Sequence, residues 1–335
     1  MRTGLLALGL VVVVACGDDL EVALDDDGDL PSGEVAQEAG DATRVEPARG
    51  DQAAAEVLVK GARDATDLMV AGDRIYWIAP SDDGWELRYV RPTGGPVTTV
   101  LKFGPVHPAD LLFAGDDVYW IAPRRGRVYR TSMDVPGPRE ILLEDGRAVP
   151  TALAAGSKAL YVGSADGCIR RIWFGEDPAV EPVACAGGTP VVVAAREPDV
   201  FWGTAEGVLY SAPADGGAAD KRLSGESFDS RLAIDDGSVY WLNAHARAVQ
   251  VLARDAHGVK QLASAQYAPA GMIIDDSWVY FTTQSDQSVK RVSKLESPVE
   301  VLAGDQAEPS DIALHGDRAY WLNEGKDAIM ALQIR

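Results

Sequence analysis

The chain has 335 residues, 47% of them apolar, and a formal net charge of −20 from 31 Lys+Arg against 51 Asp+Glu. That excess of acid repels phosphate backbones and argues against a DNA- or RNA-binding surface. Four His and three Cys leave little room for a zinc site of ordinary ligand spacing.

Residues 1–16 read as an export signal. Arg2 precedes an apolar run from Leu5 to Ala15, too short for a membrane-spanning helix of about 20 residues but suited to a signal-peptide core. Val13-Val14-Ala15-Cys16 resembles the bacterial lipobox, which implies cleavage before Cys16 and lipidation of that residue. Gly17 follows the cysteine where many inner-membrane lipoproteins carry Asp, so the resemblance favours the outer membrane. Several acyl chains on one residue give stable anchoring where a single chain does not.

Residues 17–52 hold twelve acids against Arg44 and Arg49, a net −10. A segment so charged and so poor in aromatics cannot offset its ordering entropy, and it reads as a disordered acidic linker. Its r.m.s. span is about 33 Å if flexible. Within it Arg49-Gly50-Asp51 is a chance tripeptide. Asp25-Asp26-Asp27-Gly28-Asp29 fails as a calcium loop because Leu30 takes the place of the required glycine.

Residues 53–335 repeat. Ile75-Tyr76-Trp77, Val118-Tyr119-Trp120, Leu160-Tyr161-Val162, Val200-Phe201-Trp202, Val239-Tyr240-Trp241, Val279-Tyr280-Phe281 and Ala319-Tyr320-Trp321 are seven versions of one motif, with their central aromatics 39 to 43 residues apart. A period near 40 built of short apolar runs marks a repeat architecture. In the second copy the strands read Asp110–Phe113, the aromatic run, Val128–Arg130 and Glu140–Leu143, separated by Gly/Asp and Pro/Gly turns. Four-stranded sheets repeated radially predict an all-β, seven-bladed β-propeller with four antiparallel strands per blade. The aromatic strand is apolar on both faces because a neighbouring blade packs on each side.

The last copy has room for a third strand, Ile329 to Leu332, but not a fourth. Glu56-Val57-Leu58-Val59 stands before Asp67 as Glu300-Val301-Leu302-Ala303 stands before Asp311. The N-terminal strand is therefore expected to complete the last blade and remove the free edge. The units resemble the Tyr-Trp-rich bacterial propeller repeats related to the NHL and low-density-lipoprotein-receptor YWTD groups. The YWTD Asp is missing: Ile78-Ala79 follow Trp77 and Leu242-Asn243 follow Trp241.

Cys168 opens the third strand of the third blade and Cys185 ends its fourth, so the hairpin sets them opposite each other. Outside the cytoplasm such a pair forms a disulfide.

There is no G-x-S-x-G, H-E-x-x-H, phosphate loop or C-x-x-C. Candidate positions come from the architecture. Nine residues before each central aromatic an equivalent inner-strand column reads Asp67, Asp110, Ala152, Val192, Arg231, Gly271, Asp311. The three aspartates fall on adjacent blades and would suit Ca²⁺ or Mg²⁺, or a basic partner; the alternative is that each caps backbone N–H groups at a blade junction. Joining them on the same face are His107, Arg124, Arg125, His245, Tyr267 and Glu324, with Arg124-Arg125 as a contact for an acidic glycan or peptide. The Tyr-Trp motifs are read as packing rather than as sugar platforms.

The leading expectation is a non-enzymatic binding or scaffold module, lipid-anchored in the cell envelope and presenting a face to a protein or glycan ligand. A metal-dependent hydrolase or lyase at the channel mouth is the alternative, because lactonase-like and streptogramin-lyase propellers use a metal there. An outer-membrane assembly factor is the third.

Overall fold

The computed structural model describes residues 54–133, 140–144, 148–175, 178–228, 230–295 and 297–334. The signal peptide, Cys16 and the linker 17–52 lie outside the described residues. Seven four-stranded antiparallel sheets make the seven blades, with nearly no helix. Inner strands are Thr66–Ala71, Ala109–Ala114, Pro150–Ala155, Pro190–Arg196, Leu232–Ile234, Pro269–Ile274 and Pro309–His315, in blades 1 to 7. In blade 2 the four strands run Ala109–Ala114, Asp117–Ala122, Arg127–Ser132 and Glu140–Glu144, within one or two residues of expectation at each end.

The consecutive aromatics of each motif point to opposite sides of the sheet, as the strand period of two requires. Trp77 packs between blades 7 and 1 while Tyr76 packs between blades 1 and 2. Trp120 and Tyr119 repeat this one blade on, and Trp241 and Tyr240 three blades further. Each blade thus fills two interfaces with one dipeptide, and seven apolar clusters alternate with seven sheets around the ring. Trp77, Trp202, Trp241 and Trp321 are at most 1% exposed. The aromatic motif is core.

A second set of ties crosses between blades. Glu226, on the connection into blade 5, accepts from Trp241 Nε1 at 3.2 Å and Asn243 Nδ2 at 2.8 Å. Gln306, on the connection into blade 7, accepts from Trp321 Nε1 at 3.2 Å and Asn323 Nδ2 at 3.1 Å. In blade 4 the corresponding acceptor position is Gly187, and the buried Trp202 Nε1 has no partner among the described residues.

The ring closes as expected. The N-terminal strand Glu56–Lys60 pairs antiparallel with Ala328–Gln333 as the outer strand of blade 7, with Glu56 opposite Ala331 and Val57 opposite Met330. Val59 and Leu58 pack into the cluster between blades 7 and 1. In blade 3 Cys168 and Cys185 are directly opposed and joined by a disulfide.

Inner and second strands are joined by tight turns. Gly72, Gly115 and Gly316 hold the first turn position at φ 57 to 60°, inside two-residue loops closed by Ala71–Arg74, Ala114–Asp117 and His315–Arg318. This left-handed geometry suits glycine and matches the twist of the flanking strands. These turns and those joining third to outer strands share one face, the turn face. The blade-to-blade connections and the second-to-third loops share the other, the loop face.

Candidate functional site

On the loop face four of the expected residues come together. Asp67 is 1% exposed, and its Oδ2 accepts from Thr66 Oγ1 at 2.9 Å. The same hydroxyl lies 3.4 Å from His107 Nε2, and the His107 ring meets the Trp85 ring edge-on with centroids 4.1 Å apart. Burial, with the negative charge of Asp311 second, pushes the Asp67 carboxyl up to about 7; Thr66 and Arg231 pull it down by less. Its Oδ1 has no partner among the described residues.

Arg231 of blade 5 reaches past blade 6 to Asp311 of blade 7, with Nη2 3.4 Å from Oδ1. The blade between carries Gly271 in the column, where a Cβ would stand 2.7 Å from the Ser310 carbonyl oxygen. The glycine thus lets blades 6 and 7 approach closely.

The column also ties neighbouring blades through the backbone. Leu153 N–H of blade 3 donates to Asp110 Oδ2 at 2.8 Å, and Leu68 N–H of blade 1 donates to Asp311 Oδ2 at 3.3 Å. Among the described residues no three His, Cys, Asp or Glu side chains are gathered in a group able to hold a metal. Asp67, Asp110 and Asp311 are not gathered into the oxygen cage that Ca²⁺ or Mg²⁺ takes.

The remaining expected residues stand apart from this cluster. Arg124 and Arg125 are exposed on the short 3₁₀ turn Pro123–Arg125 of blade 2, and Arg125 edges a small cleft beside Trp120 and Tyr129. His245 is exposed on the second-to-third loop of blade 5. Glu324 is exposed on the turn Glu324–Lys326 of blade 7. Tyr267 is 49% exposed, with the Arg247 guanidinium 4.6 Å from its ring centre.

The turn face holds a cavity of about 1080 Å³ that the inner-strand column does not reach. Blades 2 to 5 contribute to its rim, which includes Asp116, Arg130, Phe174, Arg196, Glu197 and Asp236. Arg196 Nε donates to Asp236 Oδ1 at 2.6 Å, joining the turns of blades 4 and 5. Both Glu197 oxygens accept from Ser157 N–H, at 3.0 and 3.1 Å, and Oε1 also takes the Tyr161 hydroxyl at 3.4 Å, joining blades 4 and 3. The Tyr161 hydroxyl is pushed up to about 12, by burial first and by the Glu197 charge second. The sequence signal for this rim is Arg196-Glu197-Pro198, which replaces the Gly/Asp turn of other blades.

No protein-family model matches the chain, and no curated protein does. Solved structures match its fold. A streptogramin B lyase superposes with a TM-score of 0.65 at 10% identity, covering 83% of this chain and 95% of that one. Virginiamycin B lyase from Staphylococcus aureus gives 0.65 at 12% identity, covering 84% and 98%. BamB from Moraxella catarrhalis gives 0.53 at 14% identity, covering 79% and 81%. The likeness is one of fold.

Proposed function

We propose that this protein is a non-catalytic binding or scaffold module, held at the cell envelope through Cys16 and presenting its turn face to a ligand. The observation that carries this reading is the contrast between the two faces. On the loop face three of the four polar column residues are spent on ties between blades, through Asp110 to Leu153 N–H and through Asp311 to Leu68 N–H and Arg231. On the turn face a rigid rim surrounds about 1080 Å³, the upper end of the size range of ligand pockets. A propeller fold alone does not choose a function; the cavity and its lining are what support this reading.

The test is a thermal-shift screen of peptides and small molecules against the full chain, with mass spectrometry of every bound compound. Ligands should raise the melting temperature, return chemically unchanged, and lose their effect in Phe174→Ala or Arg196→Ala. Conversion of a bound compound to product would overturn the reading. The anchor is tested separately: Cys16→Ser should move the protein from the membrane to the soluble fraction.

A hydrolase or lyase acting at the loop-face mouth is the second reading. The His107–Thr66–Asp67 chain favours it, since a histidine held by a hydroxyl and a buried carboxyl can accept a proton. Under this reading His107→Gln abolishes turnover while the melting temperature is kept.

A further inference from the structure

The turn-face cavity has an uneven balance of charge. Arg130 is matched by Asp117 at 3.1 Å and Arg196 by Asp236 at 2.6 Å. Asp116 and Glu197 also line the cavity, and neither carboxylate has an ion-pair partner among the described residues. Glu197 is held in place by Ser157 N–H and the Tyr161 hydroxyl. Gly156 makes room for it: a Cβ there would stand 2.4 Å from Glu197 Oε1. Beside them Phe174, half-buried, packs on Tyr119 with ring centroids 5.6 Å apart. Carboxylates next to aromatic surface suit a cation with an apolar stem, which gains from charge and from the ring together.

Size decides which cation. A cavity of about 1080 Å³ is far larger than one amine group fills and accommodates several residues of a chain. The protein's own leader is excluded as the occupant. The strand Glu56–Lys60 enters blade 7 from the turn face, where Glu56 pairs with Arg318. Residues 17–52, however, carry a net −10 and are repelled by an acidic cavity.

We infer that the turn-face cavity binds a basic segment of a partner protein, with Lys or Arg heads on Asp116 and Glu197 and their stems along Phe174. The inference rests on the binding-module reading and adds the chemical class of the ligand. The net charge of −20 steers such a segment toward the molecule and makes its association salt-sensitive.

The test is fluorescence anisotropy on the full chain, with a labelled peptide of alternating lysine and serine and its glutamate counterpart. The lysine peptide should bind and the glutamate peptide should not. Asp116→Asn combined with Glu197→Gln should weaken binding about tenfold or more, and Phe174→Ala should weaken it further. Asp116→Asn alone, at an exposed turn, keeps the test independent of folding and should still give a measurable loss. Glu324→Gln combined with Asp64→Asn removes the same charge from the loop face and should leave affinity unchanged. Equal losses from the two pairs would reduce the effect to general attraction and overturn the inference. So would binding of the glutamate peptide, or no binding of the lysine peptide at low salt. A neutral compound held by the same cavity, with the lysine peptide unbound, would overturn the ligand class and leave the binding module standing.

Discussion

Asp67 has a left-handed backbone, φ 55°, is almost fully buried, and has its carboxyl raised to about 7 by burial and by Asp311. In the unfolded chain it titrates near 3.9. The folded state therefore keeps the proton longer, so Asp67 favours folding fully below about pH 4, and that contribution is lost as pH rises through about 7. The loss amounts to roughly 4 kcal/mol at most. Asn tolerates the left-handed backbone and cannot ionise. Asp67→Asn should accordingly be more stable than the parent at about pH 8 and flatten the decline between about pH 4 and 7, as read from urea unfolding across that range. A second residue-scale prediction concerns Trp202, whose buried indole N–H has no acceptor among the described residues, where Glu226 and Gln306 serve Trp241 and Trp321. A Cβ at Gly187 meets nothing within 4 Å. Gly187→Gln should supply the missing acceptor and stabilise by about 1 kcal/mol, seen as a higher melting temperature that is absent in Gly187→Ala. The column itself was legible in the sequence, because a nine-residue offset from each aromatic recurs. The Arg231–Asp311 pair was not, because it skips a blade and depends on Gly271 having no side chain.

Among the elements, the strand Glu56–Lys60 carries the most consequence per residue. It covers Ile329 and Ala331 and adds Val59 and Leu58 to the cluster between blades 7 and 1. Removing residues 54–60 should cost about 4 kcal/mol from lost apolar burial and broaden the unfolding transition in calorimetry, because blade 7 is left with an open edge. An unchanged, sharp transition would show that three strands suffice there. This pairing could be read from the sequence since one blade's fourth strand was missing at one end and present at the other. The disulfide followed in the same way, from the positions of Cys168 and Cys185 on paired strands. The turns resisted such reading. Gly115-Asp116 and Arg196-Glu197-Pro198 both signal a reversal of the chain, and which turns border a common cavity is fixed by blade twist and spacing rather than by local composition.

For the molecule as a whole, regularity and exception divide the work. Seven near-equivalent interfaces, each filled by a Trp or its equivalent from one blade and a Tyr or its equivalent from the other, give a ring with little freedom to deform. Departures from the repeat then stand out as places with a different role, among them Gly271 in the column and Arg196 and Glu197 in the turn. The direction from which the chain joins the ring is one more departure. Because Glu56 lies at the turn-face end of its strand and Lys60 at the loop-face end, the polypeptide arrives from the side that holds the cavity. A pull on Glu56 directed along its strand runs lengthwise along the seam of the ring. In that direction the backbone hydrogen bonds between Glu56–Lys60 and its neighbour bear the load in parallel rather than parting one by one. The stitch that keeps the ring shut is thus also placed to resist being drawn out along its own length.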